Sequence, residues 1–85
     1  MFDNMILCPI CDSDNVHFYD PEILDGKDNH EAWQGGGDAI KIPMYCESDH
    51  EWNLVFGHHK GNTFVFCEEI ETRYRTLPIH FKNLE

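Results

Sequence analysis

Tyr45-Cys-Glu-Ser-Asp-His-Glu-Trp52 sets a cysteine and a histidine four residues apart, between two stretches that alternate apolar and polar residues. Before it, Ala39-Ile-Lys-Ile-Pro-Met-Tyr45 puts Ile40, Ile42 and Met44 on one face and Ala39, Lys41 and Tyr45 on the other. After it, Trp52, Leu54 and Phe56 align in the same way. Two strands joined by a Cys-x3-His turn are one half of a metal site. Cys8-Pro-Ile-Cys11 is the matching half, a tight turn that presents two thiolates to one ion. It too lies between extended segments, Met5-Ile-Leu7 and Val16-His-Phe-Tyr19, with Asp12-Ser-Asp-Asn15 as a dense turn signal. Cys8, Cys11, Cys46 and His50 are therefore the expected ligands. Three thiolates and one imidazole suit zinc rather than oxygen-seeking magnesium, calcium or manganese. With all four positions supplied by protein, the expected role is structural.

Around this pair of knuckles the chain reads as short strands and polar turns, with no alternation of strands and long helices. The expected fold is a small all-β, zinc-ribbon-like antiparallel sheet. Thr63-Phe-Val-Phe-Cys67 is apolar on both faces and is expected to be a central strand. Pro43 has no N–H to give a ladder, so its strand is expected at an edge or with a bulge. Residues 22–37 are polar and acidic and end in Gly35-Gly-Gly37, which suggests an exposed, mobile loop. Trp33 inside it either folds back on the sheet or marks a contact surface. Beyond Glu68, Ile70, Tyr74 and Leu77 fall at helical spacing, a strand reading is nearly as good, and Pro78 ends either. One domain over 1–71 and a C-terminal tail over 72–85 follow.

The chain has 85 residues, 41% of them hydrophobic and 13% aromatic. That is too apolar for disorder, and short enough to need a staple such as a metal. No apolar run is long enough to span a bilayer. The N-terminus lacks the basic and apolar regions of a secretory signal, which points to the cytosol. In that compartment cysteines serve as ligands or free thiols rather than disulfides. The net charge of −10 is uneven: residues 1–57 carry two basic and twelve acidic side chains, and residues 58–85 carry four of each. Most of the body would repel a phosphate backbone.

Each candidate has a plainer competitor. Cys-x2-Cys is also a redox motif, but that one opens a helix, whereas here it runs into a turn and a strand. Cys67 reads as core filler, with replacement of His50 as fourth ligand the alternative. His17 and His30 read as surface or half-buried histidines. His58-His59-Lys60-Gly61 reads as a hairpin connection, with Gly61-Asn62 supplying positive φ. Arg73-Tyr-Arg75 interleaves charge and ring as nucleic-acid binders do, but three residues read more simply as a solvated strand or tail.

Cys-Pro-x-Cys, then Cys-Glu-x-x-His-x-Trp-x-Leu, then His-Lys-Gly-x-Thr resembles short, mostly uncharacterised bacterial zinc-ribbon proteins. The match runs over residues 8–11 and 40–65, about half the chain. The resemblance implies Cys8, Cys11, Cys46 and His50 as ligands and residues 59–63 as a structural hairpin. The chain departs from the pattern at Asp49, where a glycine is usual for positive φ. No enzyme activity is implied. The expected function is a non-enzymatic adaptor binding an unknown protein partner, with Tyr19 and Trp33 as candidate contacts and no membrane. The alternative is a nucleic-acid-binding ribbon using His58, His59, Lys60, Arg73 and Arg75. A catalytic zinc would require His50 to be replaced by water.

Overall fold

The alternation that begins at Trp52 does not stop at Phe56. In the computed structural model, which describes residues 4–27, 33, 35–70 and 75–83, it continues as one strand, β5 (Glu51–His59). β5 pairs antiparallel with β4 (Ala39–Cys46) on one side and β6 (Asn62–Glu69) on the other. The connecting turn expected over residues 57–62 shrinks to two residues, Lys60 and Gly61, at φ 49° and 83°. Positive φ at both centres is the type I′ turn, whose twist matches that of the flanking strands. The positive-φ residues are thus Lys60-Gly61 rather than Gly61-Asn62, because His59 and Asn62 already form a cross-strand pair. Gly57 belongs in the strand for a packing reason. A Cβ there would lie 2.4 Å from the Trp33 indole, which rests on the sheet at that point.

β2 (Val16–Phe18) and β3 (Glu22–Leu24) pair in turn with the outer side of β4, and β7 (Thr76–Leu77) pairs with the end of β6. These make a six-stranded sheet. A second sheet has two strands, β1 (Asn4–Leu7) and β8 (His80–Asn83). Every pairing among the described residues is antiparallel.

Several expectations change. Pro43 lies within an interior strand, not at an edge. Its carbonyl accepts the Tyr19 N–H at 2.8 Å, so its nitrogen also faces that side. There the neighbouring chain is passing from β2 to β3, and no ladder bond is missed. Residues 22–37 are not wholly a loop, since Glu22–Leu24 is a strand. The tail over 72–85 supplies β7 and β8, and around Leu77 the strand alternative prevails over the helical one. Tyr74 lies outside the described residues. Among the described residues, β6 is central only at Cys67 and Glu68, where β7 covers it.

The core forms on the face expected from periodicity. Met44, Cys46, Trp52, Leu54 and Cys67 are buried there together with Cys8. Ile6 of β1, Leu77 of β7 and Ile79 just before β8 pack against them, so the small sheet and the C-terminal segment cover this end of the large one. Burying side chains of this size contributes about 1.5–3 kcal/mol each. On the opposite face Trp33 packs over Phe64 and Phe66, with centroids 6.1 and 5.9 Å away. Of the two roles open to Trp33, folding back on the sheet is the one observed. On the same face, Lys41 of β4, Asn53 of β5 and the buried Glu68 of β6 form a part-buried polar row. Among the described residues no helix is long and apolar enough to cross a membrane.

Candidate metal centre

Cys8 is the first residue after β1. Its N–H donates to the Ser13 carbonyl at 3.0 Å, and its carbonyl accepts the Asp12 N–H at 2.9 Å. This closed turn requires a left-handed residue after Cys11, and Asp12 takes φ 60°. The Ile10 N–H points at the Cys8 sulfur, 3.4 Å away. The second turn is built alike. The Cys46 N–H donates to the His50 carbonyl at 3.0 Å, and the Asp49 N–H to the Cys46 carbonyl at 3.1 Å. Here the left-handed residue is Asp49, at φ 66°. Positive φ is what the departure from glycine at that position led one to expect. It precedes the candidate ligand instead of following it, so His50 stands at the root of β5, opposite Cys46 on β4.

The two turns face each other. The donor atoms of Cys8, Cys11, Cys46 and His50 all lie within 4.8 Å of one another and can hold a metal ion. The Sγ atoms of Cys11 and Cys46 are 3.8 Å apart. His50 Nδ1 is 3.4 Å from Cys46 Sγ and 3.8 Å from Cys8 Sγ. Cys8 and Cys46 are buried, His50 is partly covered and Cys11 is exposed. The surroundings treat the thiols differently. Burial pushes Cys8 up to about 11, against the N–H groups of Cys11 and Ile10. At Cys46 burial also acts upward, but the N–H groups of His50 and Ser48 and the His50 ring outweigh it, bringing the thiol down to about 7. N–H groups aimed at sulfur are what a thiolate ligand needs.

The first turn differs from a simple hairpin knuckle. β1 does not pair with β2; it pairs with β8. The Cys8–Cys11 turn is therefore a bridge between the two sheets, whereas the Cys46–His50 turn closes a β4–β5 hairpin. Asp12, absent from the sequence-derived site, ties this bridge to the C-terminus. His80 Nδ1–H donates to Asp12 Oδ1 at 2.6 Å. The available signal was its place directly after the second cysteine, where positive φ favours glycine, asparagine or aspartate.

The other candidates lie elsewhere. Cys67 is fully buried between Leu54 of β5 and Leu77 of β7, and it is not in the ligand group. His17 stacks on Tyr45 and reaches Glu47 at 3.4 Å; Tyr19 also stacks on Tyr45. His58, His59 and Lys60 are exposed at the β5–β6 turn. Arg75 is held by Glu69, with Nη2 3.0 Å from Oε2. His30 and Arg73 lie outside the described residues.

No protein-family model matches the chain, and neither the curated proteins nor the solved structures contain a match.

Proposed function

We propose that this protein is a zinc-ribbon-like binding module whose zinc is structural and which acts as a protein–protein adaptor. The observation that carries the metal is the separation of the four donor atoms. Zn–S bonds of about 2.3 Å and Zn–N bonds of about 2.0–2.1 Å give tetrahedral edges of about 3.8 Å between sulfurs and about 3.6 Å between sulfur and nitrogen. The Cys11–Cys46 Sγ separation of 3.8 Å and the His50 Nδ1 separations of 3.4 and 3.8 Å from Cys46 and Cys8 Sγ lie within about 0.2 Å of these values, and all four donor atoms fall within 4.8 Å of one another. A soft S₃N donor set favours zinc over hard cations. Four protein ligands leave no open coordination position, which supports a structural and non-enzymatic role.

The adaptor reading is supported by charge and by the fate of the arginine that a nucleic-acid site would use. The net charge is −10, and Arg75 is already engaged by Glu69. The experiment has two parts. Metal analysis of the purified protein is expected to return one zinc per chain, with His50→Ala lowering affinity and Cys67→Ala leaving stoichiometry unchanged. Cobalt substitution showing an exchangeable water would instead favour a catalytic metal. Zinc-loaded protein is then used as bait in a lysate, with and without nuclease, beside a Cys8→Ser, Cys11→Ser control. A protein retained through nuclease and lost with the control supports an adaptor. Nucleic acid recovered only without nuclease would overturn it.

A further inference from the structure

We propose that the open edge of β6 pairs antiparallel with the same edge of a second copy of this chain, forming a two-fold dimer through Thr63, Phe64 and Val65. The inference rests on strand register and charge and is independent of the metal.

The register determines which backbone groups face outward. His59 and Asn62 flank the type I′ turn and exchange both hydrogen bonds, so Gly57 with Phe64 and Val55 with Phe66 do the same. The N–H and C=O groups of Thr63, Val65, Cys67 and Glu69 then point away from β5. The Glu69 N–H confirms the phase by donating to the Arg75 carbonyl at 2.8 Å. β7 covers Cys67 and ends at Leu77. Among the described residues, no strand pairs with Thr63 or Val65.

Among the described residues this edge is not protected in the usual ways. Natural edges carry lysine, proline, a bulge or a covering segment. Thr63-Phe-Val-Phe66 has neither charge nor proline, and Phe64 and Val65 are 49% and 48% exposed, one on each face. A row of alternating donors and acceptors with apolar side chains above and below is matched by another extended strand.

Charge selects a second copy as that strand. The chain is strongly acidic overall, yet residues 52–67 contain no aspartate or glutamate. The β5–β6 hairpin is where two copies can meet without opposing carboxylates. Glu68 and Glu69, farther along β6, are already engaged, Glu68 by Lys41 and Asn53 and Glu69 by Arg75, so antiparallel pairing about Phe64 sets one neutral stretch against another. Each contact then occurs twice, as an isologous interface requires.

The test is sedimentation of the metal-loaded full chain over a concentration series, in about 0.1 M and about 1 M salt, where the Debye length falls from about 10 to about 3 Å. The expected result is a monomer–dimer equilibrium that tightens at high salt, because screening removes the mutual repulsion of two acidic bodies and leaves the neutral edge contact intact. Thr63→Lys and Val65→Lys, both at exposed positions, are each expected to weaken the dimer at least about tenfold, equivalent to about 1.4 kcal/mol. Hydrogen exchange gives a readout free of mutation: the Thr63 and Val65 amides should become protected as concentration rises. A chain that stays monomeric at about millimolar concentration in both salts overturns the proposal. So does a dimer that loosens with salt, one that both lysine variants leave unchanged, or an edge that pairs only with a strand of another protein.

Discussion

Asp49 shows what a single backbone angle costs. At φ 66° an L-residue brings its Cβ against the following carbonyl, a penalty that aspartate partly escapes and glycine lacks. Asp49→Gly is expected to stabilise the metal-loaded protein by up to about 1 kcal/mol, which for a chain this size raises Tm by about 4–8 °C. Asp49→Val should lower it by a comparable amount. A thermal melt in which both variants match the parent would show that the turn is not strained. Cys67 makes a second case at this scale. It is fully buried, and burial pushes its thiol up to about 11 from an ordinary value near 9. Its thiolate fraction at pH 8 is therefore about one in a thousand, and in the native protein it should resist alkylation until a denaturant is added. The sign of its linkage follows. The unfolded thiol ionises first, so this group's contribution to stability falls as pH rises from about 9 to about 11 and is level below that window. Cys67→Ala should cost about 1–2 kcal/mol through the cavity it leaves.

Between elements, the polar row across β4, β5 and β6 matters as much as the apolar face. Glu68 is 5% exposed and accepts Lys41 Nζ at 3.1 and 3.2 Å and Asn53 Nδ2 at 3.1 Å. Removing the carboxylate leaves a cation and an amide without this acceptor inside the sheet. Glu68→Ala is expected to cost about 3 kcal/mol in denaturant unfolding, and Glu68→Gln less, because it keeps an oxygen in place. Equal losses for the two would mean that packing, not the acceptor, is what counts. Gly57 on the neighbouring strand is constrained from the same face. Gly57→Ala drives a methyl into the Trp33 indole and should displace the ring, seen as a red shift of its emission. These side chains explain an apparent contradiction in the periodicity. Phe64 and Phe66 look central because both faces of β6 are apolar, but Trp33 covers one face while, among the described residues, no strand pairs with the edge at Thr63 and Val65.

For the molecule as a whole, the four candidate ligands lie where the two sheets meet. Cys8 and Cys11 follow β1 of the small sheet, and Cys46 and His50 join β4 to β5 of the large one. His80 and Asp12 reinforce the same junction from β8. Zinc binding in structural sites is worth on the order of 10–16 kcal/mol, comparable with the whole stability of a domain. Chelation is therefore expected to release the small sheet, expose Trp52 and abolish the near-ultraviolet dichroism. Complete metal removal with tryptophan emission and near-ultraviolet dichroism unchanged would exclude a structural role.

Cysteine and histidine spacing was enough to name the four residues that the fold brings within 4.8 Å, because knuckle turns are local and their ligands are few. Period-two alternation likewise marked Met44, Trp52 and Leu54 as core, since a strand sends alternate side chains to one face. The all-β class followed from both. Other features depend on partners distant in sequence. β8 pairs with β1 across nearly the whole chain, and no local pattern in His80-Phe-Lys-Asn83 marks that pairing. Pro43 is tolerated in an interior strand only because the chain opposite it changes from β2 to β3. Trp33 lies over Gly57 only once β5 and β6 have paired. Local sequence determined the turns, the strand faces and the donor set, which are governed by φ and by alternation. The tertiary structure alone decided which edges are covered, because backbone hydrogen bonds between strands carry no residue code.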